Sequence, residues 1–74
     1  MLPRTEIKIL TGLSVLAVDM AHAGYPGEGY TSLLKGMGRV KALRDAGEPW
    51  GEELVGQYHR TLDEYAGRYG VARD

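Results

Sequence analysis

Two clusters of glycine and proline divide this chain into three segments, and that division constrains the fold more than any other feature of the sequence. The first cluster is Gly24-Tyr25-Pro26-Gly27-Glu28-Gly29 and the second is Gly47-Glu48-Pro49. Pro-Gly is a turn signal, and closely spaced glycines disfavour helix because each loses much backbone entropy on ordering. The periodicity between the breaks predicts a helix over about 5–23, a second over 31–46 and a third over 49–69. Thr31 or Ser32 would cap the second helix, and Gly47 suits the position just past its end. Pro49 suits the first position of the third, which closes near Gly70. No internal repeat, low-complexity tract or alternating strand pattern interrupts this reading. The expected fold is all-α, a compact three-helix domain spanning residues 1–74.

The third segment has the sharpest pattern. Trp50, Leu54, Val55, Tyr58, Leu62, Tyr65 and Tyr69 fall on a stripe roughly 140° wide. Glu52, Glu53, His59, Arg60, Asp63 and Glu64 take the remainder of the wheel. The first segment is apolar over more than half its circumference, from Ile7 through Leu10, Leu13 and Leu16 to Ala21. Only a narrow polar strip interrupts it, made of Lys8, Thr11, Gly12, Asp19 and His22 with Val15 among them. A helix that apolar needs cover from two sides, supplied by helices 2 and 3 or by helix 3 and a second chain. Helix 1 is therefore expected to be the most buried element, with Leu13 and Leu16 as core positions.

Composition then limits what such a fold can do. The chain has 74 residues and no cysteine, so it has no disulfide, thiolate metal site or cysteine nucleophile. A chain of this size buries only about 60% of its unfolded surface, and a partner often completes the core. Nine Lys and Arg against ten Asp and Glu give a net charge of −1, which fits neither a polybasic tail nor an acidic nucleic-acid mimic. Arg4 and Lys8 before the run Ile9–Val18, with Ala21-His22-Ala23, have the outline of a secretion signal. Glu6 and Asp19 interrupt that outline. A retained first helix, a cytoplasmic location and no membrane span are expected.

Catalytic patterns are weak. The carboxylates of the third segment project from its polar side, whereas general acid chemistry needs a partly apolar cleft. Ser14 and Ser32 lack a supporting histidine. Asp19, His22 and His59 supply too few ligands for a metal, and Gly27-Glu28-Gly29 has no preceding strand for a dinucleotide loop. The expectation is a non-enzymatic protein with no metal and no cofactor.

Two binding readings remain. Five of the six aromatic residues are tyrosine, and tyrosine and tryptophan are enriched at interfaces. A face made of Tyr25, Tyr30, Trp50, Tyr58, Tyr65 and Tyr69 would bind another protein or a second copy of the chain. The bland reading of these rings is a small core with their edges at its margin.

The second reading starts from charge. Residues 31–47 carry a net of +3 from Lys35, Arg39, Lys41 and Arg44 against Asp45. Within them Leu34-Lys35-Gly36-Met37-Gly38-Arg39-Val40-Lys41-Ala42 is similar to the helix-hairpin-helix motif, an apolar residue followed by Gly-apolar-Gly and a later small residue. The resemblance implies sequence-independent nucleic-acid binding, with Gly36 and Gly38 bringing backbone N–H groups to a phosphate. Alternatively, both glycines lie inside one helix and admit helix 1 closely. Protein–protein contact is the preferred function and nucleic-acid binding the alternative.

Overall fold

The computed structural model describes residues 2–73 and contains three α-helices. They are α1 (Arg4–His22), α2 (Pro26–Asp45) and α3 (Gly51–Tyr69), with no strand among the described residues. The first two helices close in the same way. Gly24 (φ +96°) and Gly47 (φ +103°) take left-handed backbone that an L side chain would strain. In each turn the glycine N–H and the following N–H donate to carbonyls of the last helical turn. Gly24 and Tyr25 reach Ala21 and Met20, and Gly47 and Glu48 reach Arg44 and Leu43, at 2.8–3.1 Å. This paired closure satisfies carbonyls that a helix end leaves without partners.

Helix α2 begins at Pro26, five residues before the expected Thr31. Proline fits the first helical turn, where its missing N–H costs nothing. Thr31 and Ser32 are therefore interior residues, and their hydroxyls donate back to the carbonyls of Gly27 and Glu28 at 3.0 and 3.2 Å. Pro49 and Trp50 form a turn before α3 instead of its first turn, with the Gly51 N–H donating to the Glu48 carbonyl at 3.0 Å.

Helix α2 packs against both neighbours, while α1 and α3 touch each other at few points. Large side chains of α3 fill the space between them. Tyr58 is 1% exposed, and its ring lies where all three helices meet, against Gly36 of α2 beside Leu13 of α1. The Tyr65 hydroxyl lies 3.0 Å from the Ala17 carbonyl of α1 and 2.8 Å from the Pro26 carbonyl of α2. One proton serves both acceptors, so a buried hydroxyl is satisfied. Leu33, Val40, Leu54 and Leu62 complete the inaccessible centre.

The seam between α1 and α2 is close because glycines line it. A Cβ on Gly29 would stand 2.7 Å from the Ala17 carbonyl oxygen and 3.0 Å from its Cα. At Gly36 a Cβ would stand 2.6 Å from a Leu13 methyl and 2.9 Å from the Tyr58 ring. Near the other end of this seam, Glu6 accepts both hydrogen bonds of the Arg39 guanidinium, at 2.5 and 2.9 Å. Glu6 is buried and Arg39 half-exposed. The paired bonds from Arg39 hold the Glu6 carboxyl below its ordinary value, against an opposing effect of burial.

The expected burial order is reversed. Helix α1 buries only Glu6, Leu10 and Ala17, whereas α3 buries seven residues. Leu13 is half-buried and Leu16 is 44% exposed, so neither is a central core position. The cause is the narrow contact that a glycine-lined seam makes with α1. Only one arc of that helix is fully covered; Ile7, Leu13 and Ala21 pack half-buried at the core's edge, and Val15 and Leu16 stay at the surface.

Candidate interaction surface

The six aromatic candidates do not form one face. Tyr30, Tyr58 and Tyr65 lie in the core, Trp50 and Tyr69 pack at its margin, and Tyr25 is 58% exposed on the turn after α1. Tyr65 is the hub of the buried group. Its ring centroid lies 4.8 Å from that of Tyr69 and 6.3 Å from that of Tyr30, and His22 meets Tyr69 edge-on at 6.1 Å. Burial raises the hydroxyl pKa of both Tyr58 and Tyr65 above the ordinary tyrosine value. The rings that the sequence offered to a partner therefore mostly hold α1 and α3 onto α2. Of the six, Tyr25 is the one presented openly to solvent.

The basic segment is also dispersed. Residues 34–42 lie inside the single helix α2, so the hairpin that the motif requires is not formed. Gly36 is buried in the three-helix junction, which is the close-approach role, and Gly38 faces open space. At 100° per residue, Lys35, Arg39, Lys41 and Arg44 spread over more than half of the helix circumference. Arg39 is engaged by Glu6, and Arg44 lies 3.2 Å from Asp45 and 3.7 Å from Glu52. Lys35 is exposed and Lys41 half-buried.

A shallow groove of about 240 Å³ runs between α1 and α3. Ser14 and Val18 form one wall, Thr61, Glu64 and Arg68 the other, and Leu33 the floor. It is smaller than the roughly 300–1,000 Å³ of ordinary small-molecule sites. Among the described residues no group of three His, Asp or Glu side chains converges on a common point, and no helix is long and apolar enough to cross a membrane.

The outer side of α1 stands out against these regions. Val15 is 57% and Leu16 44% exposed, with Ile9 and Met20 half-buried next to them. Gly12, one turn earlier, has nothing within 4 Å of where a Cβ would be. Lys8 and Asp19 bound this face at its two ends, both exposed and neither in an ion pair among the described residues. The pattern missed this surface by assigning Leu16 to the core and Val15 to a polar strip. The available signal was the width of the α1 apolar arc, which exceeds what one neighbouring helix can cover. The chain matches no protein-family model, no curated protein and no solved structure.

Proposed function

We propose that this protein is a non-enzymatic helical binding protein, a small subunit, adaptor or inhibitor of a larger assembly or one half of a homodimer, that acts through protein–protein contact at the outer side of α1. One observation carries the reading: α1 has more apolar side chains than its own fold covers. Val15 and Leu16 are large, adjacent and solvent-exposed on a helix whose opposite side is already packed. Single exposed apolar residues are ordinary, but a cluster on one unpartnered helix face is the usual mark of a contact surface. Tyr25, on the turn that directly follows, adds an exposed amphipathic ring near the end of the same helix.

The test is affinity capture from the native host with tagged protein, run with and without nuclease, for the parent and for Leu16→Lys. A protein captured by the parent, retained after nuclease and lost with Leu16→Lys is the expected result. Partners that all vanish on nuclease treatment, or that ignore Leu16→Lys, would overturn the assignment.

A further inference from the structure

We infer that the occupant of this surface is a second copy of the same chain, paired through α1 in antiparallel orientation about a two-fold axis between residues 13 and 14. The inference rests on the contact surface proposed above and names its partner. Lys8, Gly12, Val15 and Asp19 follow one another at spacings of four, three and four residues. That is the spacing of a seam between two helices lying side by side. In antiparallel pairing about this axis, position 8 meets position 19 of the other copy, and position 12 meets position 15. Both matches come from the same register and each occurs twice.

The chemistry of each match is complementary. Lys8 meets an oppositely charged Asp19 at both ends of the seam. At its centre the exposed Val15 side chain lies over the open space at Gly12 of the other copy, where nothing occupies the position of a Cβ. The same arrangement brings Ile9 alongside Leu16 of the other copy on one flank, and so covers the most apolar exposed edge of the helix. Parallel pairing would set Lys8 on Lys8 and Asp19 on Asp19, a repulsive arrangement at both ends. Polar residues within a helical seam commonly fix orientation and register in this way.

A 19-residue helix is about 28 Å long, so two of them side by side bury less than a stable dimer interface of about 1,200–2,000 Å². Association is accordingly weak, with a dissociation constant on the order of 10–100 μM.

Sedimentation equilibrium from about 10 μM to 1 mM tests this directly. The full chain should pass from monomer to dimer across that range. Lys8→Glu and Asp19→Lys should each weaken the dimer about tenfold or more, because each places like charges together twice. The combined variant restores opposite charges and should recover the parent constant. Orientation is read separately, since the chain has no native cysteine. Lys8→Cys mixed with Asp19→Cys should cross-link under mild oxidation. Lys8→Cys alone should not, because its two thiols would lie about 16 Å apart along the axis. A chain monomeric at 1 mM, single charge reversals without effect, or self-cross-linking of Lys8→Cys as fast as the mixture would each overturn the inference. A monomer whose captured protein is still lost with Leu16→Lys overturns self-pairing alone and leaves the contact surface standing. If neither self-association nor capture responds to Leu16→Lys, both fail.

Discussion

Helices α1 and α3 have the same length, and both pack against α2, yet they use their apolar residues in opposite ways. The α3 sequence is the more polar of the two, but its apolar residues are gathered on one side and nearly all of them are buried. The α1 sequence is richer in aliphatic residues and spreads them over more than half the helix, so most remain partly in solvent. What decides burial here is how well the apolar residues are segregated, since α2 can cover only one arc of each neighbour. The side chains that do the covering also differ. Toward α3, α2 presents bulky side chains such as Tyr30 beside Tyr65, and along its seam with α1 it presents Gly29 and Gly36. Bulky contact draws in a wide arc of α3, and close backbone approach uses a narrow arc of α1.

The largest test of this contrast is a pair of identical truncations. Leu62→Ala on α3 removes a fully buried side chain from the centre and should lower stability by about 2–5 kcal/mol. Leu16→Ala on α1 should change it by no more than about 0.5 kcal/mol in the monomer. Urea unfolding at low protein concentration measures both. Equal losses would show that α1 is covered as fully as α3.

Next in size are alanine substitutions at two α2 glycines. Gly29→Ala should destabilise by about 1–3 kcal/mol, because the new methyl meets α1 backbone and displaces the Tyr65 hydroxyl. Gly38→Ala lies in open space and should stabilise by about 0.5–1 kcal/mol through helix propensity alone. The same sign in both would show that the α1–α2 seam has room to spare.

A smaller effect follows from the Glu6–Arg39 pair. The folded pKa of Glu6 is lowered chiefly by its bonds to Arg39, so the pair's contribution is complete above the ordinary value near 4.5. It is lost as pH falls from there through the lowered folded value. Arg39→Ala should cost about 0.5–1 kcal/mol at neutral pH, since water can reach the Glu6 carboxylate in place of the half-exposed guanidinium. It should also flatten the acid limb of the stability curve below pH 4.5. Chemical unfolding between neutral pH and strongly acidic pH reads both effects, and an unchanged acid limb would remove Glu6 from its assigned role.

Much of the fold was legible because its punctuation is local. Gly24, Gly47 and Gly70 end their helices by backbone conformation alone, and the α3 stripe identifies its own buried side. The relations between helices were not legible. Gly29 reads as a breaker until its seven-residue spacing from Gly36 is seen to put both glycines on one face of a longer helix. Glu6 and Arg39 are 33 residues apart, and nothing local to either marks the other. The tyrosines were recognised as unusual, but amphipathic rings suit a partner's surface and a core with carbonyls to satisfy equally well. Only packing distinguishes the two, and it places Tyr58 and Tyr65 inside. The α1 surface lay within the over-wide apolar arc, whose cover the pattern left open between helices 2 and 3 and helix 3 with a second chain, and the placement of Leu16 in the core and Val15 in the polar strip hid which side of the helix it was.

The smallest expected effect is on DNA, where the outward side of α2 is compared with the outward side of α1. If Lys35, Arg39, Lys41 and Arg44 contacted phosphates together, affinity for a short duplex would fall with salt at about −0.9 per phosphate neutralised. Each lysine removed would then lower that slope by about one unit and weaken all sequences alike. Three observations lead to the opposite expectation. Gly36 sits in the three-helix junction and cannot bring its N–H to a phosphate, Arg39 is held by Glu6, and Arg44 lies within reach of two carboxylates. What is left is Lys35 and Lys41, about 120° apart on α2, on a chain of net charge −1. Binding at 150 mM salt should therefore be very weak, weaker than about 10⁻⁴ M, and Lys35→Ala should leave it unchanged. Fluorescence anisotropy with a labelled duplex across a salt series gives both numbers. A low-micromolar dissociation constant that rises with Lys35→Ala would move the binding surface from α1 to α2.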